Sequence, residues 1–218
     1  VPRDLQVHPE RGVVAEVRRQ PHGRVGRDRP AAVDQLVDAA ARNPQRRGQL
    51  GLGDLERLQV NLIRSHAAGV GAPLPPDVVR GLMILRANVL LRPTSGVRPA
   101  LVEALLGVLN AGLVPLVPEQ GSVGASGDLA PLSHVALVLM GEGEVLEQGR
   151  RAPAAAALAA AGLTPFRFAP KEGLAFINGT QAQTAMLALL IHDAEVLWRS
   201  AVGAAAMSLE ALRGTPTP

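Results

Sequence analysis

The residue types best suited to chemistry lie in one run, Gly121-Ser122-Val123-Gly124-Ala125-Ser126-Gly127-Asp128-Leu129-Ala130-Pro131-Leu132. Its centre, Ala125-Ser126-Gly127, sets three small residues side by side. In a tightly bent chain the amide nitrogen of Gly127 can reach the carbonyl carbon of Ala125. Glycine has no side chain to block that approach and adopts backbone conformations closed to other residues, and Ala125 offers only a methyl group. Forming the nitrogen–carbon bond with loss of one water closes a five-membered ring. Loss of the Ser126 hydroxyl as a second water leaves an exocyclic double bond. The product is a 4-methylidene-imidazol-5-one, a strong electrophile built from the chain itself.

Other uses of a glycine-rich loop fit poorly. A phosphate-binding loop needs Gly-x-x-x-x-Gly-Lys-Ser/Thr, and no lysine is present here. The glycine spacing is not the dinucleotide Gly-x-Gly-x-x-Gly. A nucleophile elbow needs Gly-x-Ser-x-Gly, and Gly127 directly follows Ser126. A plain glycine turn capped by Asp128 is the structural alternative. The run resembles, residue for residue, the signature of the histidine and aromatic amino acid ammonia-lyases. That resemblance implies a ring made from Ala125, Ser126 and Gly127, a loop supported by Gly124 and Asp128, and no external cofactor or metal.

Two further stretches carry the resemblance. Ser65-His66-Ala67-Ala68-Gly69 matches the form associated with histidine ammonia-lyases, which implies that His66 faces the substrate side chain. Read by pattern alone, a lone histidine on an apolar helical face is a core residue. Lys171-Glu172-Gly173-Leu174-Ala175-Phe176-Ile177-Asn178-Gly179-Thr180-Gln181 is the other match. The resemblance gives Asn178 a contact with the substrate carboxylate or the catalytic network, with Gln181 as second choice. By itself Asn178 also suits a cap or turn. Between these, Asn88, Ser95, Gly96 and Arg98 fit a family stretch that Pro93-Thr94 interrupts.

The elements that must hold these residues read as helices. Asp54 is expected to cap a helix whose Leu55, Leu58, Leu62 and His66 share one face, with Gly69 as the stop. Pro75-Pro76 open a second helix, about Asp77 to Leu91. A third begins at Pro99 and ends at Gly112, with Leu101, Leu105, Val108 and Leu109 as its apolar stripe. Asp128 caps a fourth through Met140, inside which His134 reads as structural. Glu144–Arg151 suits a short hairpin turning at Gln148-Gly149. Pro153–Ala161 is alanine-rich and helical. A long helix runs from about Gln181 to Leu212, with His192 and Trp198 read as structural. The fold class is therefore mainly α, with at most a short β-hairpin.

Composition narrows the rest. The 218 residues are 47% hydrophobic but only 2% aromatic, so Ala, Val and Leu must build the core. There is no cysteine, which excludes disulfides and thiolate metal sites. No run is expected to reach the length of a membrane span. The net charge is +3, and ten of the 22 Lys and Arg residues fall within residues 1–48. That basic stretch has no interleaved aromatics and no nucleic-acid module. Three parts are expected: residues 1–53, irregular and basic; 54–176, helical and carrying the electrophile loop; and 177–218, the start of a long-helix bundle. One short helix is expected at Ala31–Ala41. The family's Tyr-Gly-x-Asn-Thr-Gly-Phe-Gly segment is missing from the first part. That part reads either as a disordered basic tail or as a frameshifted, mispredicted or diverged start.

The resemblance implies conversion of L-histidine to trans-urocanate by elimination of ammonia, in a cytoplasmic homotetramer, with no nucleic acid or membrane partner. Family members take the β-proton with tyrosines, and this chain has none. Family chains are also about twice as long. The polypeptide is thus expected to be the electrophile-bearing part of a larger enzyme, weak or inactive alone. Alternatives are a phenylalanine or tyrosine ammonia-lyase, an aminomutase, or an inactive remnant.

Overall fold

A computed structural model describes residues 52–92, 94–123, 127–147 and 149–215. The basic N-terminal stretch, its expected helix at 31–41, and Gly124, Ala125 and Ser126 lie outside the described residues.

Helix α1 spans Leu52–His66. Asp54 sits in its first turn rather than capping it, so the helix begins earlier than the capping pattern suggested. Its inward face also differs from expectation. Gln59 and Ile63 are buried, whereas Leu58 is 46% exposed. Gln59 turns inward because its Oε1 accepts the Leu174 amide hydrogen at 3.3 Å.

Helices α2 (Pro76–Leu90) and α3 (Pro99–Asn110) both carry proline in the first turn, where a missing N–H costs no hydrogen bond. α3 stops at Ala111-Gly112. Gly112 takes φ +71, and the amides of Gly112 and Leu113 reach back to the carbonyls of Leu109 and Val108. This closure satisfies the last carbonyls and favours glycine at the left-handed position. Helix α4 (Leu129–Leu139) ends the same way at Gly141. α5 spans Ala154–Ala160, α6 Glu172–Ile177 and α7 Gln181–Ala211.

The mainly α architecture is as the sequence implied, but the strands exceed the single hairpin expected. β4 (Glu144–Glu147) and β5 (Arg150–Pro153) form that hairpin. β2 (Val114–Pro115) adds to β4, giving the order β2-β4-β5. A separate antiparallel pair joins β1 (Val70–Pro73) to β3 (Pro118–Gln120). These extra strands are two to four residues long and carry Pro73, Pro115 and Pro118, so no alternation marks them in the sequence.

The core is aliphatic. Leu82 and Met83 of α2, Leu101 and Leu105 of α3, and Leu132 and Leu139 of α4 are fully buried together. Phe166, Phe168 and Phe176 add a chain of edge-to-face contacts, with ring centroids 5.1 and 5.8 Å apart. α7 crosses α2 where Gly81 meets Ala185; a Cβ on Gly81 would stand 3.2 Å from that methyl. From residue 190 onward every residue of α7 is exposed, including His192 and Trp198.

One sequence expectation is corrected here. The helical stretch Glu172–Ala211 is long and apolar enough, at mean hydropathy 1.3 over its best window, to cross a membrane by length and composition. Residues 174–192 carry no Asp, Glu, Lys or Arg, and Asp193, Glu195 and Arg199 cluster after them, so an apolar window survives. The same holds for a long helix in a bundle of soluble protein.

Candidate functional site

Asp128 stands at the N-terminus of α4 but makes no side-chain bond to it. The capping role expected for its own helix is corrected. Its Oδ2 instead accepts the amide hydrogen of Gln183 at 3.0 Å, the third residue of α7, whose own Thr180 supplies no side-chain cap. Its Oδ1 accepts from the Ser122 hydroxyl at 2.6 Å. Its backbone N–H donates to the Gly179 carbonyl at 2.6 Å. A fully buried carboxylate is thus held by donors from both ends of its surroundings. It ties the loop entry at Ser122 and the loop exit at Asp128 to the start of α7. A negative group at the positive end of a 31-residue helix is also electrostatically favourable.

Gly127 presses on the same turn. A Cβ there would lie 3.2 Å from Asn178 Oδ1 and from the Gly179 amide nitrogen. Such contacts are tighter than most packed Cβ contacts, so a larger residue here would push Asn178 and Gly179 back by a few tenths of an ångström. Asn178 ends α6 with φ −90 and ψ 96, and its amide donates to the Leu174 carbonyl at 3.1 Å. Its side chain is exposed and shares its face with Gly127. Gln181 is buried, and its Oε1 accepts from Arg86 Nη1 at 2.8 Å.

His66 reaches the region by a different route. It ends α1, and its Nδ1 lies 2.8 Å from the Leu62 carbonyl oxygen. A carbonyl only accepts, so Nδ1 carries a hydrogen, and in the neutral ring Nε2 is the acceptor. The chain after His66 becomes β1, which pairs with β3, the strand that enters the Gly121 loop; Val70 stands opposite Gln120. Gly121 packs so closely that a Cβ would sit 3.2 Å from Gly69 Cα. His134 fastens this contact, since its Nε2 accepts the Gly69 amide hydrogen at 3.2 Å. Burial holds the His134 pKa below the ordinary histidine value, which keeps the ring neutral and able to accept.

The fold therefore gathers three segments distant in sequence: the His66–Gly69 turn, the two ends of the Gly121–Asp128 loop, and the Asn178–Gln181 turn. A surface cavity of about 470 Å³, between α3 and residues 164–167, touches none of them. Ser122, His134, Gln183 and Arg86 were not singled out as site residues from the sequence. For Arg86 a signal existed: it falls in the apolar stripe of α2, between Leu82-Met83 and Leu90, where a charge is out of place.

A sequence model described as aromatic amino acid lyase matches residues 44–218. The chain belongs to the aromatic amino acid lyase family. Among its relatives, the histidine ammonia-lyase of Geobacillus kaustophilus is 58% identical over 161 residues, covering 74% of this chain and 32% of its own length. That of Deinococcus radiodurans is 55% identical over 170 residues, with 78% and 32% covered. Of solved structures, histidine ammonia-lyase from Trypanosoma cruzi superposes with a TM-score of 0.72 at 46% identity, over 76% of this chain and 32% of that one. The phenylalanine aminomutase of Pantoea agglomerans gives 0.72 at 34% identity, over 77% and 32%. The chain spans about a third of the length of the curated relatives it matches.

Proposed function

We propose that this chain is the electrophile-bearing part of a histidine ammonia-lyase, acting in the elimination of ammonia from L-histidine to give trans-urocanate. The observation that carries the reading is the docking of Gly127-Asp128 on Asn178-Gly179. It fastens the end of a self-cyclising tripeptide against the residue expected to bind substrate. The 58% identity to a histidine ammonia-lyase supports the substrate.

The residues suit the ring. Gly127 is closely packed against Asn178 and Gly179, and its lack of a side chain leaves its own amide nitrogen unobstructed for attack on the Ala125 carbonyl carbon. Ser126 then loses its hydroxyl, so two waters leave in all. Asp128 holds the exit of the loop through Gly179 and its entry through Ser122, which fixes the two ends of the loop that carries the tripeptide. Once made, the methylidene-imidazolone withdraws electrons from the bound amino acid and eases departure of the amine.

In this reading substrate is held by side chains of the first and third segments. His66, its Nδ1–H committed to Leu62, presents Nε2 to the imidazole of the substrate. Asn178 offers its carboxamide to the substrate carboxylate, with Gln181 buttressing the turn. The base that takes the β-proton must come within hydrogen-bond reach; no tyrosine of this chain can serve, because none exists. We therefore assign the base to another segment of a longer protein, a cytoplasmic homotetramer, in which α7 packs in a helical bundle.

Intact mass of the purified chain, with peptide mapping across residues 120–131, tests the reading. A deficit of two waters at Ala125-Ser126-Gly127 is expected. An unmodified tripeptide in folded protein would sink it and leave the inactive-remnant reading.

A further inference from the structure

Arg86 is 2% exposed, yet no carboxylate meets it among the described ion pairs, which join Arg64 to Glu142, Arg98 to Glu172 and Arg199 to Glu195. Burying a cation without an anion is costly, and a core that needed only volume would be served by leucine or methionine. What the guanidinium does bond is informative. Nη1 donates to Gln181 Oε1 at 2.8 Å. Nη2 donates to the Ala175 carbonyl. Nε has no partner among the described residues, and the Phe176 ring lies 6.0 Å away. Burial lowers the Arg86 pKa to about 10, so the group remains a cation at neutral pH.

Ala175 lies before the Asn178-Gly179-Thr180 turn and Gln181 lies after it. One planar fork therefore spans the turn from both sides. It also presses against the turn itself: a Cβ on Gly179 would overlap Arg86 Nη1 and Gln181 Oε1. The carbonyl of this same Gly179 takes the amide hydrogen of Asp128 at 2.6 Å. The path from Arg86 to the electrophile loop is thus two contacts long.

We infer that Arg86 is a positioning residue for ring closure: by clamping Ala175 to Gln181 it fixes the Asn178–Thr180 turn, and through Gly179 it holds Gly127-Asp128 in the bend from which the Gly127 nitrogen bonds to the Ala125 carbonyl carbon, two waters leaving in all. The inference rests on the lyase reading above and adds to it a residue to which the resemblance gave no role. Lysine cannot replace the fork, because a single ammonium lacks the paired, rigidly spaced donors.

The test uses the full 218-residue chain and the variants Arg86→Met, Arg86→Lys and Gln181→Ala. Ring content is read by mass across residues 120–131 at intervals after refolding, beside thermal melting and amide hydrogen exchange at Asp128. For Arg86→Met we expect a folded chain with faster exchange at Asp128 and ring formation slowed by about tenfold or more, the scale of a misplaced reacting group. Arg86→Lys should recover the melting temperature but not the rate. Gln181→Ala should slow the ring in the same direction, and it carries the test should Arg86→Met not fold. Variants that close the ring and protect Asp128 like the parent would overturn the role of Arg86 while leaving the lyase reading intact. Absence of the ring from the parent chain itself would defeat the lyase reading. In that event unchanged exchange at Asp128 in Arg86→Met overturns the clamp too, and faster exchange upholds it.

Discussion

Asp128 caps a helix that is not its own. Its Oδ2 accepts the Gln183 amide hydrogen at 3.0 Å across 55 residues of chain, in the first turn of α7. Replacing a capping acid by alanine costs about 1 to 2 kcal/mol. Asp128→Ala should lose stability in that range by urea denaturation and lose the two-water deficit as well, since Ser122 and Gln183 both lose their acceptor and only the backbone bond to Gly179 still holds the loop. Asp128→Asn retains an acceptor for Gln183 and should keep most of the stability. A ring formed at the parental rate in Asp128→Ala would show that the bend is fixed elsewhere.

Gly127 and Gly179 make a second, separable case. At Gly127 an added methyl meets Asn178 Oδ1 and the Gly179 amide at 3.2 Å, whereas at Gly179 it would overlap Arg86 and Gln181. Gly127→Ala should therefore fold, with a stability loss of about 1 kcal/mol from mild overpacking, but fail to cyclise. Gly179→Ala should lose about 3 kcal/mol, at the upper end for overpacking, because the obstructing groups are buried and bonded to each other. Melting temperature and peptide mass separate the two. Equal melting temperatures would contradict the packing described.

Much of this was legible in the sequence, and the reason is local. Prolines at helix starts, glycines after α3 and α4, and the apolar stripes of α2 to α4 act over a few residues, so the mainly α fold could be read. The extra strands could not, because Val114–Pro115 and Pro118–Gln120 owe their pairing to partners far along the chain. The site divides in the same way. His66, Asn178 and the Ala125-Ser126-Gly127 run stand in recognisable segments. The partner of Asp128 was missed because a carboxylate before a helix reads as that helix's cap, and only the fold brings Gln183 closer.

Acid should weaken the chain in two steps. Burial alone would raise the Glu172 pKa, but hydrogen bonds from Arg98 and the Ala169 amide outweigh it and hold the carboxyl below its ordinary value of 4.5. Burial holds His134 below 6.5. In both, the unfolded chain binds the proton more tightly. Each contribution is therefore complete above the unfolded value and is lost as pH falls through the lower folded one. Unfolding free energy should decline first below about pH 6.5 and again below about pH 4.5. His134→Gln should remove the upper step, because an amide oxygen still accepts from Gly69. Glu172→Gln should remove the lower step and cost about 2 kcal/mol at neutral pH, a value kept modest because Arg98 is half in water. A flat stability profile from pH 7 to 5.5 in the parent chain would contradict the neutral role of His134.

His66 offers the sharpest handle on substrate choice. Its Nδ1–H is fixed on Leu62 at 2.8 Å, so only Nε2 remains for a ligand, as an acceptor suited to an imidazole N–H. A phenyl ring has no such donor. In the assembled lyase, His66→Leu should raise KM for L-histidine by about tenfold, the worth of one hydrogen bond, and leave the ring content unchanged. KM for L-phenylalanine should fall or hold steady, because an apolar side chain would then face an apolar ring. Measuring both substrates on one preparation, with the mass of the 120–131 peptide as the internal control, decides the matter. A proportional loss on both substrates would assign His66 to supporting the turn into β1, and the preference for histidine would have to be sought in another residue.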